Sequence, residues 1–219
     1  MFLGLTALEI VAYLLSLLIA IDVHEFAHAW MANELGDSTA RYYGRLSLNP
    51  LVHLDPMGTI MMLFSIVYGF GIGWGKPVPV NPVYLRKGPR VGMGMVAAAG
   101  PLSNLMLAAI VAVPIRQGLP LPWRLVNLLL IVISVNIGIA LFNLLPIPPL
   151  DGAIIVRGIL SVIRARWAYQ VSEAFDRVQA QGYIIFILLI LVDQILPISI
   201  LGLVLGTPYR LLYRLIIGL

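Results

Sequence analysis

The 219-residue chain contains no cysteine. Disulfide frameworks and thiolate metal sites are therefore excluded, and cysteine usage carries no signal about redox compartment. Charge is also scarce: 11% of residues are charged and 60% are hydrophobic. A soluble domain carries roughly 25% charged residues, so this chain lacks the polar surface needed to face water and belongs in a bilayer. The net charge of +4 is too small to argue for a nucleic-acid partner. The opening apolar run lacks a basic n-region and a small-residue cleavage site, and so does not read as a removable signal peptide. Histidine occurs three times, and no acid occurs between Asp55 and Asp151. Internal repeats and low-complexity tracts are missing as well.

What is present is a series of apolar segments. Phe2 to about Glu34 reads as one long helix, stopped by Gly36 with Asp37 and Ser38 behind it. Asp37 to Pro56 is polar and loop-like, and Met57 to Gly73 is apolar but short. Between Trp74 and Pro82, prolines at 77, 79 and 82 restrict the chain to loop or edge strand. Val91 to Ile115 and Leu125 to Leu145 are two further spans, the first rich in small residues that let another helix approach closely. Ala153 to Ile163 reads as a short buried or interfacial helix, Arg164 to Gly182 as the most polar stretch, and Tyr183 to Gly206 as a fourth span weakened by Asp193 and Pro197. The tail from Tyr209 to Leu219 reads as an interfacial amphipathic helix. The expectation is an all-α polytopic membrane protein with about four to six transmembrane helices. A short re-entrant or edge-strand region lies between the first two core spans. The chain forms one domain over 1–219, with a core of 1–152 and accessory helices over 153–219.

The chemistry concentrates in Asp22-Val23-His24-Glu25-Phe26-Ala27-His28. On a helix, His24 and His28 lie four residues apart on one face, where both imidazoles reach one metal ion. Glu25 lies on the neighbouring face, where a carboxylate can take a proton from water at the metal. The blander reading is a pair of satisfied helix histidines. A catalytic zinc usually has three protein ligands. Asp22 points to the opposite side of the helix from His24. Glu34 lies roughly 240° around the helix from His28. His53 sits in a loop beside Asp55 and is either a ligand or packed against its neighbours. Asp151 follows the prolines at 146, 148 and 149 and is either a helix cap or the missing ligand. The Gly and His that a metzincin would place after the second histidine are replaced by Met31 and Glu34.

Taken together, His24-Glu25-x-x-His28 and Asn143-x-x-Pro146-x-Pro148-x-x-Asp151-Gly152 resemble the site-2 protease family of intramembrane zinc metalloproteases. Gly100-Pro101-x-x-Asn104 and Asn49-Pro50-x-x-His53-x-Asp55-Pro56-x-Gly58-Thr59 resemble further motifs of that family, and so does the Trp74 to Pro82 stretch. The resemblance runs from about His24 to Gly152. It implies one zinc ion held by His24, His28 and Asp151, with Glu25 as general base. It also implies that Asn104 and Asn143 lie near the site, as contacts to substrate or to a developing oxyanion; hydrogen bonding between helices is the alternative for each. Ala153 departs slightly from the family pattern, and the loops are too short for a PDZ-like insertion, as in a minimal member.

If one metal joins His24, His28 and Asp151, the chain crosses the membrane an even number of times between them. Val91 to Ile115 and Leu125 to Leu145 supply two crossings, so Met57 to Gly73 is expected to be re-entrant. Arg41, Arg45, Lys76, Arg86, Lys87, Arg90, Arg157, Arg164, Arg166 and Arg177 then share the side of the site. That places the site toward the cytoplasm of a multi-pass cell-membrane protein. The implied substrates are transmembrane helices of other proteins, cut in regulated intramembrane proteolysis after local unwinding, with Trp74 to Pro82 offering an edge for strand addition. The alternatives are a metal-ion transporter or a non-proteolytic metal-binding membrane protein, in neither of which Glu25 has an evident role.

Overall fold

The computed structural model describes residues 6–61, 75–179, 181–196 and 199–218. The proposed re-entrant segment of 57–73 lies mostly outside them, as does Trp74; residues 56–61 are helical. Among the described residues seven longer helices carry the architecture: α1 (Ala7–Glu34), α2 (Pro89–Arg116), α3 (Trp123–Asn143), α4 (Asp151–Leu160), α5 (Arg166–Gln179), α6 (Gly182–Ile195) and α7 (Ile200–Ile217). Four of them, α1, α2, α3 and α7, are long and apolar enough to cross a membrane, and α6 is a shorter apolar helix. Among the described residues the only β pairing is an isolated bridge between Leu54 and Gly75. The protein is a multi-pass, all-α membrane protein, as its sequence leads one to expect.

α1 starts at Ala7, later than Phe2, because Thr6 forms a capping box with Glu9: its hydroxyl accepts from the Glu9 amide while the Glu9 carboxylate accepts from the Thr6 amide. This accounts for the one acid in an otherwise apolar run. Glu9 also accepts a hydrogen bond from Asn127 of α3. Further along, Asn104 of α2 joins Ala20 of α1 to Asn136 of α3. α3 therefore runs parallel to α1. α2 runs antiparallel to both, since Ser103 faces Val23 while Val96 faces His28. α4 packs back along α2 through glycine: a Cβ on Gly94 would lie 3.1 Å from the Gly158 Cα. Backbones approach this closely only where side chains are missing.

Two expectations for the C-terminal part are corrected. The stretch 183–206 is not one span. α6 ends before Leu196, which is extended, as a residue preceding proline tends to be. Asp193 then accepts from the Ser199 hydroxyl and the Leu201 amide as α7 begins. Nor is 209–219 a separate interfacial helix. Residues 209–217 form the second half of α7, whose Ile216 and Ile217 join Ala108, Ala112, Ile133 and Ile137 in one buried cluster. Arg116 closes this end by donating to the carbonyls of Leu215 and Ile216. The loop between α1 and α2 contains single helical turns at Thr39–Tyr42 and Pro50–His53.

Candidate metal centre

His24 lies roughly 26 Å along α1 from its first residue, near the end that carries Asp37 and the loop. His24 and His28 are both buried, with their rings edge to face at a centroid separation of 4.6 Å. Asp151 comes from the first residue of α4. Its Oδ2 lies 3.0 Å from His24 Nε2 and 3.4 Å from His28 Nε2. Ligand atoms of these three residues all fall within 4.8 Å of one another. The choice between cap and ligand is thereby narrowed: Leu150, not Asp151, occupies the cap position, and no side chain caps this helix.

The far side of each ring fixes what the near side can do. His24 Nδ1 lies 2.7 Å from Asn104 Oδ1, and His28 Nδ1 lies 2.8 Å from the Val96 carbonyl. Both partners are acceptors, so each Nδ1 carries a proton, and a neutral ring presents its Nε2 lone pair toward Asp151. Asp151 Oδ2 is buried and takes no hydrogen bond. With both rings neutral, three acceptor atoms face one another, an arrangement that a bound cation would relieve. Two imidazoles and one carboxylate with an open fourth position form a standard zinc set. The residues present fit that ion.

Glycines make the room. A Cβ on Gly100 would lie 2.5 Å from His28 Cε1 and 2.6 Å from His24 Cε1, so α2 presents bare backbone to both rings. A Cβ on Gly152 would lie 2.3 Å from the carbonyl oxygens of Leu144 and Leu145. That contact lets α4 start immediately beneath the end of α3 and explains the glycine after Asp151.

A cavity of ≈ 250 Å³ opens onto the three ligand residues and is also lined by Glu25, Asn143 and the segment containing Pro77, Val78 and Val80. Glu25 is half-buried, and its Oε1 would lie 3.5 Å from a Cβ on Gly75. The Pro77–Val80 wall is fixed at both ends: the Lys76 amide donates to the His53 carbonyl and the Asn81 amide to Asp37 Oδ2. Asn143 reaches the cavity wall while donating to the Ile139 carbonyl. Asn104 stands behind His24, fully buried, with its amide engaged by His24, Ala20 and Asn136. His53 is outside the cluster. It is buried against the Ser47 carbonyl at 2.7 Å, with Asp22 at 3.7 Å, so Asp22 points away from the ligands as its helix position requires. Sequence reasoning missed Gly100, the Val96 carbonyl and Asn136. Gly100 left a trace in the sequence within Gly100-Pro101-x-x-Asn104, and Asn136 as a polar residue inside the Leu125 to Leu145 span.

Comparison with known proteins agrees with this chemistry. The model of peptidase family M50 matches residues 112–190, which include Asn143 and Asp151. The chain is 37% identical over 192 residues to a Bacillus subtilis protein named "Putative zinc metalloprotease YwhC", covering 83% of this chain and 81% of that one. It is 32% identical over 157 residues to "Putative zinc metalloprotease Rip2" of Mycolicibacterium smegmatis, covering 69% of this chain and 56% of the relative. The Rip2 protein of Mycobacterium tuberculosis matches at 32% over 138 residues, 62% of this chain and 52% of its own. No solved structure matches. With a relative this similar along most of both lengths, the chain belongs to peptidase family M50, the site-2 protease type of zinc metalloprotease.

Proposed function

We propose that this membrane metalloprotease hydrolyses peptide bonds within or next to the transmembrane helices of other membrane proteins, in regulated intramembrane proteolysis. The observation that carries the reading is the shared cavity: His24, His28, Asp151 and Glu25 line one space at one end of the helical core. His24, His28 and Asp151 are the zinc ligands in this reading. Bound there, zinc supplies Lewis acidity that polarises a peptide carbonyl and acidifies a water molecule. Glu25 takes the proton released by that water and passes it to the leaving amine as the C–N bond breaks. Asn143, on the cavity wall, contacts substrate or the developing oxyanion. Asn104, committed to His24, acts through that ring rather than on substrate. Whole chain 1–219 acts as one domain.

A substrate helix hides its peptide bonds and must unwind locally to reach Glu25. The fixed Pro77–Val80 wall offers such a segment an extended neighbour. The cavity faces the cytoplasm in this reading. Arg41, Arg45, Lys76, Arg86, Lys87 and Arg90 lie in or beside the loop joining α1 to α2. Arg116 and Arg124 mark the opposite end, and Arg214 joins them there, one residue before Leu215, whose carbonyl Arg116 binds.

The test is cleavage of a membrane-spanning reporter by purified protein, beside Glu25→Gln. The variant is expected to keep its zinc and lose cleavage; undiminished cleavage would overturn the reading. Orientation is read separately, since the chain has no native cysteine. A Lys87→Cys variant is expected to react with an impermeant thiol reagent from the cytoplasmic side only, and Gly118→Cys from the other side only.

A further inference from the structure

We infer that Asn136, a residue of α3 that hydrogen-bonds to neither histidine ligand and does not line the cavity, is a positioning residue that fixes His24 for metal binding by acting through Asn104. The inference rests on the zinc-site reading above. Asn104 and Asn136 are both 0% exposed at membrane depth, where an unmet polar group is costly. They form a three-helix chain. Asn136 Nδ2 donates to the Val132 carbonyl at 2.9 Å; Asn104 Nδ2 donates to Asn136 Oδ1 at 3.0 Å and to the Ala20 carbonyl at 2.9 Å; Asn104 Oδ1 then lies 2.7 Å from His24 Nδ1.

The direction of this chain is dictated by two main-chain groups. The carbonyls of Val132 and Ala20 can only accept, so each selects the nitrogen of the amide beside it. Were Asn104 turned over, its oxygen would face the Ala20 carbonyl oxygen and the Asn136 oxygen together. Its nitrogen would then donate to His24 Nδ1, moving the ring proton to Nε2, where it would block the metal. Asn136 presents a second acceptor to the same Asn104 nitrogen and so enforces the productive orientation. Asn136 thereby sets the ring state of a histidine on α1 to which it makes no hydrogen bond. His28 has no such dependence, because its Nδ1 is held directly by the Val96 main chain.

The test is zinc affinity, measured by chelator competition on full-length protein in detergent, with helix content checked for each variant. Asn136→Leu removes the acceptor at nearly constant volume while leaving Asn104 its Ala20 partner. The expected loss in affinity is about tenfold or more, in the range typical of groups that orient ligands. Asn104→Leu is expected to lose at least as much. The double variant is expected to match Asn104→Leu alone, because Asn136 acts only through Asn104. Wild-type affinity in Asn136→Leu, or a double variant whose loss is the product of the two single losses, would overturn the inference. Should Asn136→Leu not fold, Asn136→Ser, too short to bridge Val132 and Asn104, serves in its place under the same criteria. His24→Ala tests the underlying reading independently: zinc binding that survives it sinks the metal site itself, whatever Asn136 does.

Discussion

The helices that hold the site and the helices that follow it are built by different rules. Where α1, α2 and α4 meet, the contacts include bare backbone and buried amides: Gly100 against two imidazoles, Gly94 against Gly158, Asn104 against Ala20. α6 is the reverse. Its Ile184, Ile187, Leu188 and Ile195 are all more than half exposed, and its contacts with the core include Gly182 against Pro148 and the Phe142–Phe186 ring pair. In a bilayer, large apolar side chains gain nothing by leaving lipid for another helix, so they do not by themselves create contact. Small residues and paired amides do. Stability and metal geometry should therefore be sensitive to added atoms in the core and insensitive to removed atoms in α6.

That contrast can be broken or sharpened by substitution. The largest effect is expected in catalysis: Glu25→Gln should lower turnover of a membrane-spanning reporter by about 10² to 10⁴-fold, the usual contribution of a general base, with zinc content by atomic absorption unchanged. Next comes Gly100→Ala. One methyl at 2.5 Å from an imidazole carbon must displace the ring, and zinc affinity should fall by roughly 10 to 100-fold, seen by chelator competition. Gly158→Val should cost about 1–3 kcal/mol by overpacking against Gly94, read from unfolding in detergent. Leu188→Ala should change stability by no more than about 0.5 kcal/mol, as for exposed positions elsewhere. A Leu188→Ala loss as large as that of Gly158→Val would erase the distinction between the two regions.

The parts legible in advance were those where local spacing carries the physics. His24, Glu25 and His28 are placed together by helical periodicity; Asp151 stands out after the prolines at 146, 148 and 149 as a cap or a ligand, and the family resemblance implies the ligand. The spans α2 and α3 followed from apolar length. What escaped was set by contacts between distant segments. Glu9 is a lone charge in an apolar run of the sequence, and its role comes from capping with Thr6. The break after Leu196 depends on Asp193 turning to meet Leu201, a pairing that a hydropathy pattern does not register. Asn104 was expected near the site and is there, but which face of His24 it meets is decided by how α2 crosses α1, and nothing in one sequence states a crossing. Asn136 was visible only as a polar residue inside a span.

The bond from His28 to the Val96 carbonyl carries a practical lesson for anyone dissecting this enzyme by substitution. A peptide oxygen survives every exchange of its own side chain. A conventional alanine scan will find the amides that steady one ring and pass silently over what steadies the other, and the two histidines will look unequally supported when they are not. Only chemistry that edits the main chain, such as an ester in place of the amide, makes the second support visible.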